Sequence, residues 1–76
     1  MKQKRITEIL SEIAGKPITI GSDESLFDSG LLDSFGLTDL ITKLEKEYDI
    51  SVPDGDLNPR KFDTIDRITE YVEARA

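Results

Sequence analysis

Apolar residues recur at helical spacing in three separate stretches of this chain, and no other sequence feature restricts the fold as strongly. Residues at positions i, i+3, i+4 and i+7 lie on one face of an α-helix, where they can pack against a shared core. The spacing predicts helices over about residues 3–14, 34–48 and 64–74. The apolar stripes are Ile6, Ile9, Leu10 and Ile13; then Leu37, Leu40, Ile41, Leu44 and Tyr48; and finally Ile65, Ile68 and Val72 beside Tyr71.

Short acidic side chains mark the predicted helix starts. Asp33 is suited to cap the second long helix and Asp63 the last, because a carboxylate there accepts a hydrogen bond from a free amide of the first turn. Asp56 is predicted to cap a single turn over residues 57–60, in which Pro59 is tolerated because a first turn does not need its missing amide proton. The predicted fold is an all-α four-helix bundle with three longer helices and one short third helix.

A long connection joins the first two helices. Residues 15–33 contain more large apolar side chains than a solvated linker needs. We therefore expect this loop to wrap around the core and complete one compact domain over residues 1–76. The apolar residues of the loop are Ile18, Ile20, Leu26, Phe27, Leu31 and Leu32.

The composition excludes several classes of function. The chain has no cysteine and no histidine, which removes thiolate metal sites, cysteine nucleophiles and the commonest general base. No stretch approaches the roughly 20 consecutive apolar residues of a membrane span, and the N-terminus lacks the apolar segment of a secretion signal. We therefore expect a cytoplasmic protein without a membrane span.

The net charge of −6 is concentrated in the middle of the chain. Residues 23–56 hold ten acidic and two basic side chains, whereas the residues before them are weakly basic and those after them are neutral in sum. Such a negative field repels nucleic acid, and it speeds the encounter with proteins that present a basic face. The charge therefore fits either a surface that meets basic partner proteins or a solvated surface that only keeps the protein soluble.

The tripeptide Asp33, Ser34 and Phe35 opens the second helix directly after the long loop. It resembles the Asp-Ser-Leu signature of the phosphopantetheine-dependent acyl carrier proteins. The resemblance covers nearly the whole chain, and it implies the four-helix bundle of the acyl carrier type. Its other matching parts are the first helix, the loop segment Leu26–Leu31, the helix end Glu45–Tyr48, the segment Ile50–Pro53 and the final helix.

The resemblance implies a freestanding carrier protein without catalytic residues of its own. In this family a phosphopantetheinyl transferase attaches a 4'-phosphopantetheine arm from coenzyme A to the hydroxyl that matches Ser34, within a motif that includes Asp33. The thiol at the end of the arm holds an acyl or aminoacyl group as a thioester. The implied partners are this transferase, a ligase that loads the cargo, and a downstream synthase or transferase; the implied oligomeric state is a monomer.

Side chains on the second helix are predicted to contact these partner enzymes. They are Phe35, Asp39, Glu45 and Glu47. Asp39 matches an acidic position with which carriers of this family meet basic partners, and Phe35 stands next to the attachment residue. Gly36 either leaves room for a partner or for the arm, or is a glycine that the first helical turn simply tolerates.

The subtype of carrier is less sharply marked. Lys43 and Lys46 interrupt the acidic face of the second helix, whereas fatty-acid carriers tend to have apolar or acidic residues there. The segment Leu31–Gly36 is similar to the D-alanyl carrier proteins and to some freestanding aminoacyl carriers, and its leucines stand where peptidyl carrier domains have glycines. The cargo stays open among fatty acyl, polyketide, amino acid and D-alanine.

The residues also bear on three other functions: a docking module, a calcium-binding loop and an enzyme. An acidic helical docking module for a basic partner is the alternative, and such a module would not need the hydroxyl of Ser34. A calcium loop beginning at Asp54 is rejected, because Pro59 replaces the glycine at its sixth position and Ile65 replaces the glutamate at its twelfth. An enzyme is least favoured. Without histidine or cysteine in the chain, a serine nucleophile would need Lys, Asp or Glu as its base, and an adjacent side chain in a helix points elsewhere.

Overall fold

The computed structural model describes residues 2–75, and its elements are all helical. Helix α1 spans Lys2–Ala14, α2 spans Ser34–Tyr48 and α3 spans Ile65–Arg75. Two short 3-10 turns, Asp54–Asp56 and Pro59–Phe62, lie between α2 and α3, and no strand occurs within the described range. The all-α prediction is confirmed, and the three longer helices begin and end within one residue of their predicted bounds.

The prediction for the short third helix was wrong in detail. The structure replaces the single turn over 57–60 by the two 3-10 turns, and the residue that caps the second turn is Asn58, not Asp56. The Asn58 side chain accepts a hydrogen bond from the backbone N–H of Arg60 at 2.8 Å. The physical reason is Pro59, because proline is favoured as the first residue of a helical turn and the cap is then the residue directly before it.

The predicted cap of α3 was also wrong, by one residue. The hydroxyl of Thr64 accepts a hydrogen bond from the backbone N–H of Arg67 at 3.0 Å, which is the geometry of an N-cap. The carboxylate of Asp63 instead accepts from the hydroxyl of Ser25 at 2.7 Å and from the backbone N–H of Phe27 at 3.3 Å. Asp63 therefore ties the long loop to the start of α3.

One buried cluster joins all three helices, the long loop and the second 3-10 turn. Helix α1 contacts both α2 and α3, so its apolar stripe lies at the centre of the bundle. Burial of such side chains is the main favourable contribution to folding. The cluster consists of Ile6, Ile9, Leu10, Leu26, Leu32, Leu37, Leu40, Ile41, Leu44, Phe62, Ile65, Ile68 and Val72.

The loop wraps the core as expected, and Leu26 is the residue that anchors it. Its side chain is fully buried. Its backbone N–H donates to the carbonyl oxygen of Asp63 at 2.6 Å, and its own carbonyl accepts from the amides of Leu31 and Leu32 at 3.0 and 3.1 Å. These bonds fix the turn that leads the chain into α2, and they thereby position Ser34.

The half-buried carboxylate of Asp56 links the first 3-10 turn to α3. It accepts hydrogen bonds from the hydroxyl of Tyr71 at 2.7 Å and from Arg75 at 2.8 Å, and Lys61 forms an ion pair with it at 3.1 Å. The Tyr71 hydrogen bond, followed by the one from Lys61, lowers the pKa of Asp56. Burial, together with the same hydrogen bond to Asp56, raises the pKa of Tyr71 to about 12.

Asp56→Asn is therefore expected to lower the stability of the fold at neutral pH and to change its acid dependence. A carboxylate whose pKa is lowered by folding stabilises the native state above its unfolded pKa, and this contribution is lost as the pH falls through the folded pKa. The difference in melting temperature between the wild type and the variant should be largest at pH 6–7 and should shrink below about pH 4.

Thermal unfolding across pH 2–7 measures this difference. Asp54→Asn is the matched control, because Asp54 is exposed and its carboxylate makes no hydrogen bond or ion pair with another residue of the described range. If the Asp56 and Asp54 variants show the same profile, Asp56 does not hold the turn to α3.

Candidate functional site

Helix α2 begins at a capped N-terminus directly after the long loop. Asp33 has an extended backbone, with φ −135° and ψ −172°, and its carboxylate accepts a hydrogen bond from the backbone N–H of Gly36. This bond is 2.7 Å long, and the carbonyl oxygen of Asp33 accepts from the amide of Leu37 at 2.8 Å. Asp33 is thus the N-cap of α2, and it holds the first turn in place.

Asp33→Ala is expected to lower the free energy of unfolding by about 1 kcal/mol, because the variant leaves an amide of the first turn without its side-chain acceptor. Urea unfolding measures the change. Asp39→Ala is the control, since Asp39 is an exposed carboxylate of the same helix without a hydrogen bond to another described residue. Equal stability of the two variants would contradict the capping role.

Ser34 is the first residue of α2, and its side chain is exposed. Within residues 2–75, no hydrogen bond involves its hydroxyl, and no backbone acceptor pairs with the amides of Ser34 and Phe35. Free amides at a helix N-terminus, together with the positive end of the helix dipole, favour a phosphate group. The site therefore presents an accessible hydroxyl where a phosphodiester would be stabilised.

Phe35 and Asp39 follow Ser34 on the outside of the helix. The Phe35 side chain is 85% exposed, the highest value among the large apolar residues that the structure describes. Both residues line an open groove of about 350 Å³ between the end of α1, the loop and the start of α2. Ser34 does not line this groove, because successive helical residues point about 100° apart. The groove nevertheless opens directly beside Ser34, since its chain neighbours Asp33 and Phe35 both line it.

Lys16 also lines this groove, and the sequence analysis did not single it out. It is exposed and lies just after α1. Its position opposite Asp39 depends on how α1 packs beside α2, so the local sequence carries no signal for it. The groove consequently has one basic side chain, Lys16, and two acidic ones, Asp33 and Asp39, in its lining.

Glu45 and Glu47 are engaged within the chain. The carboxylate of Glu45 accepts a hydrogen bond from the backbone N–H of Val52 at 2.9 Å, which holds the segment after α2. The carboxylate of Glu47 accepts from Arg5 at 3.0 Å and links α2 to α1. Both lie about 16 Å or more along the helix from Ser34. Their role as partner contacts stays a prediction.

Gly36 is buried within the protein itself. A Cβ atom at this position would lie 3.0 Å from Cδ1 of Leu32 and 3.5 Å from Cγ2 of Ile13. The glycine therefore allows the loop and α1 to approach the first turn of α2 closely. Gly36 also lines the open groove beside Phe35 and Asp39. That it leaves room for a partner or for the arm stays a prediction.

Comparison with known proteins identifies the family. Residues 4–72 match the family described as the phosphopantetheine attachment site. The chain belongs to this family of carrier proteins. Its cofactor is therefore covalently bound 4'-phosphopantetheine, as the resemblance implied. An exposed serine beside the free amides of Ser34 and Phe35 fits a group attached through a phosphate.

Curated relatives of this carrier cover most of its length. The chain is 32% identical over 69 residues to the D-alanyl carrier protein of Lactobacillus acidophilus, which covers 91% of this chain and 87% of the relative. It is 37% identical over 67 residues to the D-alanyl carrier protein of Streptococcus sanguinis, with coverage of 88% and 85%. Within residues 2–75 of this carrier, no helix has the length and apolar character needed to cross a membrane.

Proposed function

We propose that this carrier holds its phosphopantetheine arm on Ser34 and that its cargo is D-alanine. One observation carries the choice of residue: Ser34 places an exposed hydroxyl, without an intrachain hydrogen bond, at the capped start of α2. The family match spans this position. The thiol of the bound arm supplies the thioester linkage, and Asp33 keeps the first turn of α2 intact beneath it.

The choice of D-alanine rests on the relatives. Matches to D-alanyl carrier proteins extend over 85% and more of the relatives' length. The loop and the start of α2, which surround the attachment residue, lie inside the matched region. An ATP-dependent D-alanine ligase is then the loading partner, and a transferase that accepts D-alanine follows it.

The surface beside Ser34 supports docking of such enzymes. Phe35 offers an apolar side chain next to the arm, and Asp39 offers a carboxylate one turn further along the helix. An enzyme with an apolar pocket and a basic side chain near its entrance complements this pair. A cytoplasmic location and a monomeric state are part of the same proposal.

A loading assay tests the cargo. The carrier bearing its arm is incubated with ATP, D-alanine and the ligase that serves the Streptococcus sanguinis relative, and its intact mass is followed. We expect a gain of one alanyl group that hydroxylamine releases, because hydroxylamine cleaves thioesters. L-alanine, glycine and short fatty acids with their own activating enzymes serve as competing cargoes. Preferential loading with one of these would replace D-alanine in the proposal.

A further inference from the structure

The solvent-facing side of α2 carries an ordered stripe of side chains. Phe35, Asp39, Thr42 and Lys46 follow one another at i, i+4, i+7 and i+11, so they share one face of the helix. All four are exposed, and Lys43 is exposed at the edge of the same face. The order along the helix is thus apolar, acidic, polar and basic, and it begins beside the attachment residue.

The structure divides the charged side chains of α2 into two groups. Glu45 and Glu47 are used inside the chain, by hydrogen bonds to Val52 and Arg5. Asp39, Lys43 and Lys46 form no ion pair or hydrogen bond with another residue of the range 2–75. The charges without an internal partner are therefore the ones on the stripe.

The helix dipole explains only part of this arrangement. Lys46 lies in the last turn of α2, where a basic residue interacts favourably with the free carbonyl groups of the helix end. Lys43 lies outside that turn and gains little from the dipole, because the effect falls off within one turn. Neither an internal partner nor the helix dipole therefore accounts for its position.

A second groove opens beside the two lysines. It has a volume of about 240 Å³ and lies between α1 and α2, lined by Lys43 and Lys46 together with Arg5, Glu12 and Glu47. Arg5 and Glu47 neutralise each other through their ion pair of 3.0 Å. Arg5 also pairs with Glu8 at 3.5 Å. Lys43 and Lys46 are thus the lining cations without an ion pair in the range 2–75, and they are available to a carboxylate from outside.

We propose that Lys43 and Lys46 bind an acidic patch on the enzyme that loads D-alanine, while Asp39 meets a basic side chain of the same enzyme. This inference rests on the proposed function. The two contacts lie about 10 Å apart along α2, from Asp39 to Lys46. The partner surface is therefore bipolar, with its basic end near the active-site entrance and its acidic end further away.

Two consequences follow from this polarity. An enzyme docked in the reverse direction would place acid against Asp39 and base against the lysines, so only one orientation brings Ser34 to the entrance. An enzyme with a uniformly basic docking face, suited to a uniformly acidic helix, is repelled at Lys43 and Lys46. The stripe thus selects both the orientation and the partner.

The test uses the double variant Lys43→Glu, Lys46→Glu in the D-alanine loading assay. The arm is first installed, and its presence on the wild type and on each variant is verified by intact mass. We expect KM for the carrier to rise about tenfold with kcat unchanged, because rim charges act on encounter and docking rather than on chemistry. The rise should shrink in high salt, since screening weakens exposed charge contacts.

The control double variant Lys4→Glu, Arg60→Glu changes the net charge by the same amount at exposed positions that belong to α1 and to the second 3-10 turn and line neither groove. It should leave KM within about twofold of the wild type, since charges away from the docking face affect encounter only weakly. Lys43→Gln with Lys46→Gln, which removes the charges without reversing them, should give an intermediate KM. Circular dichroism of each variant verifies that the helices are retained.

The outcomes separate the two proposals. A wild-type KM for the lysine variant, or an equal rise in the control, overturns the docking inference while the carrier function stands. If the wild type carries its arm and yet is not loaded with D-alanine, the proposed cargo fails, and the docking inference fails with it. A rise confined to the α2 variant with unchanged kcat supports the bipolar surface.

Discussion

Phe62→Ala is expected to lower the free energy of unfolding by about 3–5 kcal/mol. Phe62 is fully buried at the end of the second 3-10 turn, and its ring lies 4.9 Å from that of Tyr71 at an interplanar angle of 58°. Removing the ring leaves a cavity where this turn meets α3. For a domain of this size the total stability is only about 4–11 kcal/mol. The variant should therefore lose a large fraction of its stability and unfold at a much lower urea concentration than the wild type.

The matched control is Phe35→Ala, the same substitution at a side chain that is 85% exposed. It should change stability by no more than about 0.5 kcal/mol, because it creates no cavity. Urea unfolding followed by circular dichroism compares the two variants. Two midpoints close to that of the wild type would contradict the buried position of Phe62, and two strongly lowered midpoints would contradict the exposed position of Phe35. The control is also informative in loading assays, where Phe35→Ala should weaken docking without unfolding the carrier.

Leu26→Ala should cost about 2–5 kcal/mol, although Leu26 belongs to a loop rather than to a helix. Its side chain is fully buried, and its backbone carbonyl and amide join the turn before α2 to the start of α3. A smaller residue removes the apolar anchor of that turn. The effect should reach Ser34, because the turn leads directly into the first residue of α2.

The control for this prediction is Leu57→Ala, at a leucine that is 46% exposed. Leu57→Ala should lower the free energy of unfolding by less than about 1 kcal/mol, since the side chain buries little apolar surface that the substitution could remove. Thermal unfolding gives the stability of each variant, and the initial rate of arm attachment reports on the site. Equal, small losses of stability in both variants would contradict the anchoring role of Leu26 and would mean that the loop only connects helices.

The helices and most of the core could be predicted from the sequence, because both depend on local periodicity. The stripe of Leu37, Leu40, Ile41 and Leu44 defines α2 and its buried face without knowledge of any other element. The cap at Asp33 is equally local, since its acceptor and its donor are three residues apart. These features need only the geometry of a single helix.

The errors arose where distant residues decide between local alternatives. Asp63 and Thr64 are both good capping residues, and the choice is made by Ser25, which is 38 residues away and occupies the Asp63 carboxylate. Asp56 is likewise drawn to Tyr71, 15 residues further on, rather than to the turn that follows it. Hydrogen bonds of this kind depend on tertiary packing, so a local pattern does not predict them.

The candidate site shows the same division. Ser34 and its place at the helix start follow from the sequence, whereas the two grooves between α1 and α2 require the packed structure. The internal bonds of Glu45 and Glu47 are also visible only after packing. Because these bonds engage both glutamates, the charges of α2 that are available to a partner are Asp39, Lys43 and Lys46.

The most direct test of the carrier function is the intact mass of the protein before and after incubation with coenzyme A, Mg²⁺ and a phosphopantetheinyl transferase of broad specificity. The wild type should gain one phosphopantetheine group and one titratable thiol, which is easily read because the chain has no cysteine. Ser34→Ala should gain neither and should keep its helical circular dichroism spectrum. A wild type that stays unmodified while a known carrier is converted, or a Ser34→Ala variant that is still modified, would contradict the attachment of the arm to Ser34.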